Sequence, residues 1–258
     1  MTTAPGRQDT ARPQFTVEPG RLDLWLVHSP LGTEAGQLDR SDLDADEQRR
    51  ADAFVRRDDG LLYTAAHIAL RRLLGRYTGT APRQLRFVRE RCADCGGEHG
   101  RPALAASSPP LHFSLSHSAG IALVGVAAVP VGVDVERLPR PATVEYCLPA
   151  LHPWERAELA RAHGADRTRL FGRTWTRKEA FLKGIGTGLR RSPAQDYLGG
   201  DRAAHPAGWT VLDVPCGPAH VAAAAVRATA PRTVDVRRLS REWLRAPDPL
   251  RTDPPADR

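Results

Sequence analysis

Apolar positions recur with two different periods along this chain. Between 22 and 27 (Leu-Asp-Leu-Trp-Leu-Val) they alternate, the mark of a strand. From 61 to 77 they return every three or four residues, with Leu62, Ala66, Ala69, Leu70, Leu73 and Leu74 on one side, which predicts a long amphipathic helix. A charged helix is expected over 42–56 and a short strand over 84–89, before a Cys-rich turn at 92–100. Alternation resumes at 112–116, 121–128 and 131–136, so three strands are expected, read as a meander with turns at Ala119-Gly120 and Val129-Pro130. Helices at 154–163 and 168–183 follow, then strands near 209–214, 221–227 and 233–239. Both halves mix helices with antiparallel strands, so the expected class is α+β in two similar subdomains, 19–130 and 131–245, with tails at 1–18 and 246–258.

Composition narrows the setting. The 258 residues suffice for one large domain or two small ones. Residues 1–19 are polar with no apolar segment of the kind a secretory leader needs, and the longest apolar stretch, 121–133, is broken by Gly and Pro and too short to cross a bilayer. A cytoplasmic, monomeric protein without membrane partners is expected. Four cysteines, Cys92, Cys95, Cys147 and Cys216, are too few and too scattered for a disulfide framework. The net charge of +7 invites an anionic partner: nucleic acid, a small polyanion or an acidic protein. No basic run is interleaved with aromatic residues as a single-strand binder requires, so nucleic acid is not expected.

The charge has an unusual grain. There are 35 arginines and two lysines, Lys178 and Lys183, both within Trp175-Thr-Arg-Lys-Glu-Ala-Phe-Leu-Lys183. An ammonium is a compact point charge that can take or give a proton, which a guanidinium does not. Upstream, Val131-Gly-Val-Asp-Val-Glu136 would turn three valines to a core and set Asp134 and Glu136 on the other strand face, roughly 6–7 Å apart. That spacing suits two ligands of one hard cation, or a solvated edge; Gly132 would leave room beside them for a bulky ligand. Glu179, bordering a helical stripe of Phe171, Trp175 and Leu182, adds a third carboxylate in want of a partner. Oxygen ligands alone favour Mg²⁺, so this set with a lysine and many arginines points to phosphoryl-transfer or phosphate-ester chemistry. Ser116 and His117 adjoin on a strand and point apart, which disfavours a nucleophile–base pair and fits a phosphate contact better. Cys92-x-x-Cys95 with His99 offers three zinc ligands without an evident fourth; the alternative is a turn around two buried thiols.

Four segments together resemble one family. His99-Gly-Arg-Pro102, Phe113-Ser-Leu-Ser-His-Ser118, Val131-Gly-Val-Asp-Val-Glu136 and Trp175-x-x-Lys-Glu-Ala-x-x-Lys183 are similar, in this order, to the signature motifs of the Sfp-type phosphopantetheinyl transferases. The resemblance runs from about residue 40 to 225. It implies a pseudo-twofold α+β fold binding coenzyme A between its halves. It also implies Mg²⁺-dependent transfer of the 4'-phosphopantetheine arm to a serine of a carrier protein, releasing adenosine 3',5'-bisphosphate. By position, Asp134, Glu136 and Glu179 would hold Mg²⁺, and Lys183 would stabilise the leaving phosphate. Arg101, Ser116, His117 and Arg50 would contact the coenzyme, and Glu155 would help deprotonate the carrier serine. Whether the base is Glu179, Glu155 or a metal-bound water, the resemblance leaves open, as it does the choice among fatty-acid, polyketide and nonribosomal-peptide carriers. Leu62 stands where the family commonly has Arg or His gripping the 3'-phosphate. Two other readings compete: a phosphohydrolase with the same metal site, and a basic nucleic-acid-binding or regulatory protein with a Cys-rich turn.

Overall fold

The first alternating segment becomes a strand buried on both faces. β1 (Arg21–His28) lies between β5 (Ile121–Ala127), antiparallel to it, and β9 (Thr233–Arg238), parallel to it. β4 (His112–Ser118) completes the sheet on the far side of β5, giving the order β4-β5-β1-β9. The computed structural model describes residues 15–29, 38–105 and 109–245. Its class is α+β, with antiparallel sheets flanked by helices.

Four layers follow from the apolar periods. Trp25 and Val27 of β1 face α2 (Arg57–Thr78), whose Ile68, Leu70, Leu73 and Leu74 cover that side of the sheet. Leu22, Leu24 and Leu26 point the other way, onto Val131, Val133 and Val135 of β6 (Val131–Arg137) and the alanines of β8 (His220–Val226). β6, β8 and β7 (Thr210–Asp213) form the second sheet, order β6-β8-β7, and α5 (Gly164–Ile185) packs Ala180 and Phe181 on its outer face. Each buried leucine or valine in this stack contributes on the order of 1.5–3 kcal/mol.

The halves share one connection. A strand (β1 or β6) leads through a 22-residue helix to a pair of strands, and the last of these is central in its three-stranded unit. Both long helices end on a left-handed glycine, Gly79 and Gly186.

Three expectations change. The meander breaks at Pro130: both edges of β5 are already filled, by β4 and β1, so β6 starts the second sheet. β9 and α6 (Glu242–Arg245) belong to the first sheet, since β1 has a free edge that β9 fills and Leu244 packs beside α2. Of the expected N-terminal tail, residues 15–18 are described, and Phe15 stacks on Trp25 with centroids 5.5 Å apart; residues 1–14 and 246–258 lie outside the described residues. Smaller elements complete the chain: α1 (Ala45–Asp52), shorter than the predicted helix because Asp44 and Glu47 cap it reciprocally, β2 (Phe87–Arg89), β3 (Pro102–Leu104), α3 (Pro141–Cys147) and α4 (Pro153–Ala160).

Candidate active site

β4 and β6 run side by side in the same direction where the two sheets meet, joined through serine side chains. Ser114 Oγ accepts from the Val133 amide (3.0 Å), Ser116 Oγ donates to Asp134 Oδ1 (2.8 Å) and Ser118 Oγ donates to Glu136 Oε2 (2.7 Å). Side chains at alternate positions share a face, so the Ser-x-Ser-x-Ser pattern supplies the seam. Across it, Lys183 from the last turn of α5 donates to Asp134 Oδ1 at 2.7 Å and Ser116 Oγ at 3.1 Å.

The strand alternation places Asp134 and Glu136 as expected, but Gly132 serves another purpose. A Cβ there would lie 2.0 Å from the Ala180 carbonyl oxygen and 2.3 Å from the Gly184 nitrogen. The space is taken by the backbone of α5, and this close approach brings Glu179 and Lys183 over the strand.

Charge in the cluster does not balance. Asp134 is 2% exposed, and its Oδ2 is buried with no hydrogen-bond partner among the described residues. Burial pushes the Glu136 carboxyl above its ordinary range; Asp134 pushes the same way, while Ser118 and Lys183 oppose. Burial also raises Glu179, reinforced by Asp134 and Glu136 and opposed by Lys183. Three carboxylates thus share one ammonium in a partly desolvated space, an arrangement that a cation would relieve. The orphaned Asp134 oxygen and the all-oxygen donor set fit Mg²⁺. Among the described residues, three carboxylate atoms do not close within 4.8 Å of one another; only Cys92, Cys95 and His99 do so. The cluster is therefore open, as suits a metal that keeps waters and takes phosphate oxygens.

Lys183 also lines a cleft of about 750 Å³. Arg50, Arg101 and His117 stand on the same wall system, so the cleft gathers four of the residues predicted to contact a polyphosphate. Arg101 donates to Glu90 Oε2 (2.6 Å) and to the Gly184 carbonyl (2.7 Å), tying the β2–β3 ribbon to the end of α5. Burial, together with His67 and Lys183, holds the His117 imidazole below its usual pKa, so it is neutral at neutral pH. Ser116 does not line the cleft: it stands behind the wall, gripping Asp134.

Glu155 is placed elsewhere. It is 1% exposed, ion-paired with Lys178 at 2.8 Å, and accepts from the Leu198 amide at 2.7 Å and the His152 amide at 2.9 Å. Its oxygens take Lys178 of α5, the Leu198 amide and the His152 amide at the start of α4, so the carboxylate is enclosed by the fold and does not line the cleft. Leu62 is a core residue, 3% exposed. Its neighbours on α2, Tyr63 and His67, are the residues the sequence reading missed: they stack at 4.0 Å and face the cleft. Their i,i+4 spacing on the border of the apolar stripe, beside Leu70 and Leu74, was the available signal.

Comparison with known proteins meets this geometry at the same residues. The profile of the 4'-phosphopantetheinyl transferase superfamily matches residues 130–207, which include β6 and α5. The 4'-phosphopantetheinyl transferase HetI of Nostoc sp. is 31% identical over 185 residues, 69% of this chain and 74% of that protein. The chain belongs to the 4'-phosphopantetheinyl transferase superfamily. Within this superfamily, a 4'-phosphopantetheinyl transferase of Bacillus subtilis is 27% identical over 170 residues, 65% of this chain and 72% of the relative. The protein slr0495 of Synechocystis sp. is 33% identical over 152 residues, 57% of this chain and 58% of its own length. Among the described residues no helix is long and apolar enough to cross a membrane.

Proposed function

We propose that this chain transfers the 4'-phosphopantetheine arm of coenzyme A to a serine hydroxyl of an acyl, polyketide or peptidyl carrier protein, releasing adenosine 3',5'-bisphosphate. The observation that carries the reading is Lys183, which lines the cleft and touches the under-compensated acidic cluster at once. Mg²⁺, held by Asp134, Glu136 and Glu179, would neutralise the pyrophosphate charge as it develops.

The remaining roles belong to this chain's own groups. Arg50 and Arg101 supply fixed positive charge for phosphates along the cleft, and His117 supplies a hydrogen bond. Ser116 and Ser118 hold Asp134 and Glu136 in place from behind. In the reaction the serine oxygen bonds to the phosphorus that carries the pantetheine, and the bond from that phosphorus to the bridging oxygen breaks. The bisphosphate keeps that oxygen and its charge, which Lys183 stabilises. The serine proton goes to Glu179, the half-buried carboxylate that stands one turn before Lys183 on α5. The reading includes a monomer acting in the cytoplasm, and the basic charge of +7 suits acidic carriers.

Intact-mass analysis of an apo carrier protein incubated with the chain, coenzyme A and Mg²⁺ tests this directly. The carrier should gain one phosphopantetheine arm, and EDTA should prevent the gain. Release of phosphate or nucleotide from coenzyme A with no carrier modified would instead indicate a phosphohydrolase.

A further inference from the structure

A second cluster stands outside the acidic site, on the loop between β2 and β3. Cys92, Cys95 and His99 each aim one ligand atom into a common space, all within 4.8 Å of one another, and Cys95 Sγ lies 3.0 Å from His99 Nε2. Of the two thiols only Cys92 is buried; Cys95 is exposed, so a turn folded around two buried thiols does not describe this loop. We propose that these three side chains form a binding site for a borderline-soft divalent cation, zinc above all, with the fourth position left to water.

The loop is built to keep the three groups together. The Cys92 amide donates to the Gly97 carbonyl at 2.7 Å, and the Gly96 amide returns to the Cys92 carbonyl at 2.9 Å, closing a tight turn that Gly96 completes at φ 72°. The backbone N–H groups of Asp94 and Cys95 point at the Cys92 sulfur. Such donors orient a thiolate ligand and hold its charge. Gly97 keeps the interior clear: a Cβ there would come within 3.1 Å of the His99 ring and 3.4 Å of Cys95 Sγ.

Ligand chemistry selects the ion. Two sulfurs and an imidazole at zinc bond lengths of about 2.3 and 2.1 Å form a tetrahedral face with edges of about 3.5–4 Å; here Cys95 Sγ and His99 Nε2 are 3.0 Å apart and the three atoms span no more than 4.8 Å. Hard Mg²⁺ prefers the oxygen cluster on β6 and α5, so the chain would sort two metals by donor type.

The place in the fold gives the site a consequence. β2 and β3 have three residues each, a ribbon too short to hold itself together. Arg101 begins two residues after His99, and its guanidinium reaches across to the Gly184 carbonyl at the end of α5. A cation clamping residues 92–99 fixes the ribbon that presents Arg101 to the cleft. This assignment stands apart from the transferase reading, because its test measures metal and not transfer.

The full chain, purified under a thiol reductant, is exposed to zinc, desalted and measured for metal content by inductively coupled plasma mass spectrometry. The expected content is about one zinc per chain, falling below about a tenth in Cys92→Ser/Cys95→Ser and unchanged in Cys147→Ser, with circular dichroism confirming that both variants fold. Cobalt added to the metal-free chain should give a near-ultraviolet thiolate-to-metal band that zinc abolishes and excess Mg²⁺ leaves intact. Wild type that takes up no zinc, a folded double variant that retains it, or cobalt without the thiolate band would overturn the proposal.

Discussion

Both lysines of the chain lie on α5, five residues apart, and each meets an acid, yet the two meetings differ in kind. Lys178 is 2% exposed and gives its three donors to Glu155, the Pro193 carbonyl and the Asp196 carbonyl. Glu155 in turn accepts from Lys178 and two backbone amides. Burial pulls the Lys178 ammonium below lysine's ordinary range while Glu155 holds it up. Charge is matched there and both partners are enclosed by the fold. Lys183 meets three carboxylates. Among the described residues one aspartate oxygen has no hydrogen-bond partner; two glutamates are driven toward protonation, and the ammonium opens onto a cleft. A satisfied pair holds helices; an unsatisfied group of like charges, tolerated at a cost in stability, is where chemistry is expected.

Substitution should separate the two regions most sharply at the acids. Glu179→Gln should lower transfer by roughly 10²-fold or more while the melting temperature holds or rises, because it removes one of three repelling carboxylates. Glu155→Gln should do the opposite. Leaving Lys178 buried without its counter-charge should cost about 3–5 kcal/mol by denaturant unfolding. A folded Glu155→Gln chain with normal stability and no activity would reverse the assignment.

Lys183→Arg keeps the charge but replaces a point donor with a wide fork, between Asp134 and Ser116 where little width is available. A fall in kcat of about tenfold is expected, with KM for coenzyme A less affected. The pH response gives a finer contrast. Glu136 and Glu179 have folded-state pKa values above the unfolded value of 4.5, so the folded chain binds protons more tightly than the unfolded one. Without metal, their contribution is least favourable above the folded pKa and improves as pH falls through it toward 4.5. Between about pH 7 and pH 5 in EDTA, Glu179→Gln should therefore gain less stability on acidification than wild type does. The smallest effect is expected at Arg50→Ala, a rise of a few-fold in KM for coenzyme A, since Arg101 and Lys183 remain.

The sequence carried the periods well and the partners poorly. β1, α2, α5 and the valine face of β6 could be read locally because alternation and the helical repeat are properties of neighbouring residues. The acidic face of β6 was legible for the same reason. What failed was long-range. That β5 has no edge left for β6, and that β9 returns to β1 across 212 positions (Arg21 pairing with Thr233, 233 − 21), depends on pairings no window contains. The role of Glu155 came from the resemblance alone, and its counter-ion, Lys178, lies 23 residues on (178 − 155) in another helix, where no local pattern shows the pair. Gly132 looked like room for a ligand, and only the packing of α5 shows that a backbone fills it.

The measurement that bears most directly on this account is calorimetric titration of Mg²⁺ into the chain saturated with coenzyme A, for wild type, Asp134→Asn and Glu155→Gln. Wild type should bind about one magnesium, Asp134→Asn should lose it, and Glu155→Gln, under conditions where it remains folded, should keep it. Magnesium bound equally by Asp134→Asn, or lost in a folded Glu155→Gln chain, would contradict the claim that the open cluster beside Lys183 is the metal and pyrophosphate site.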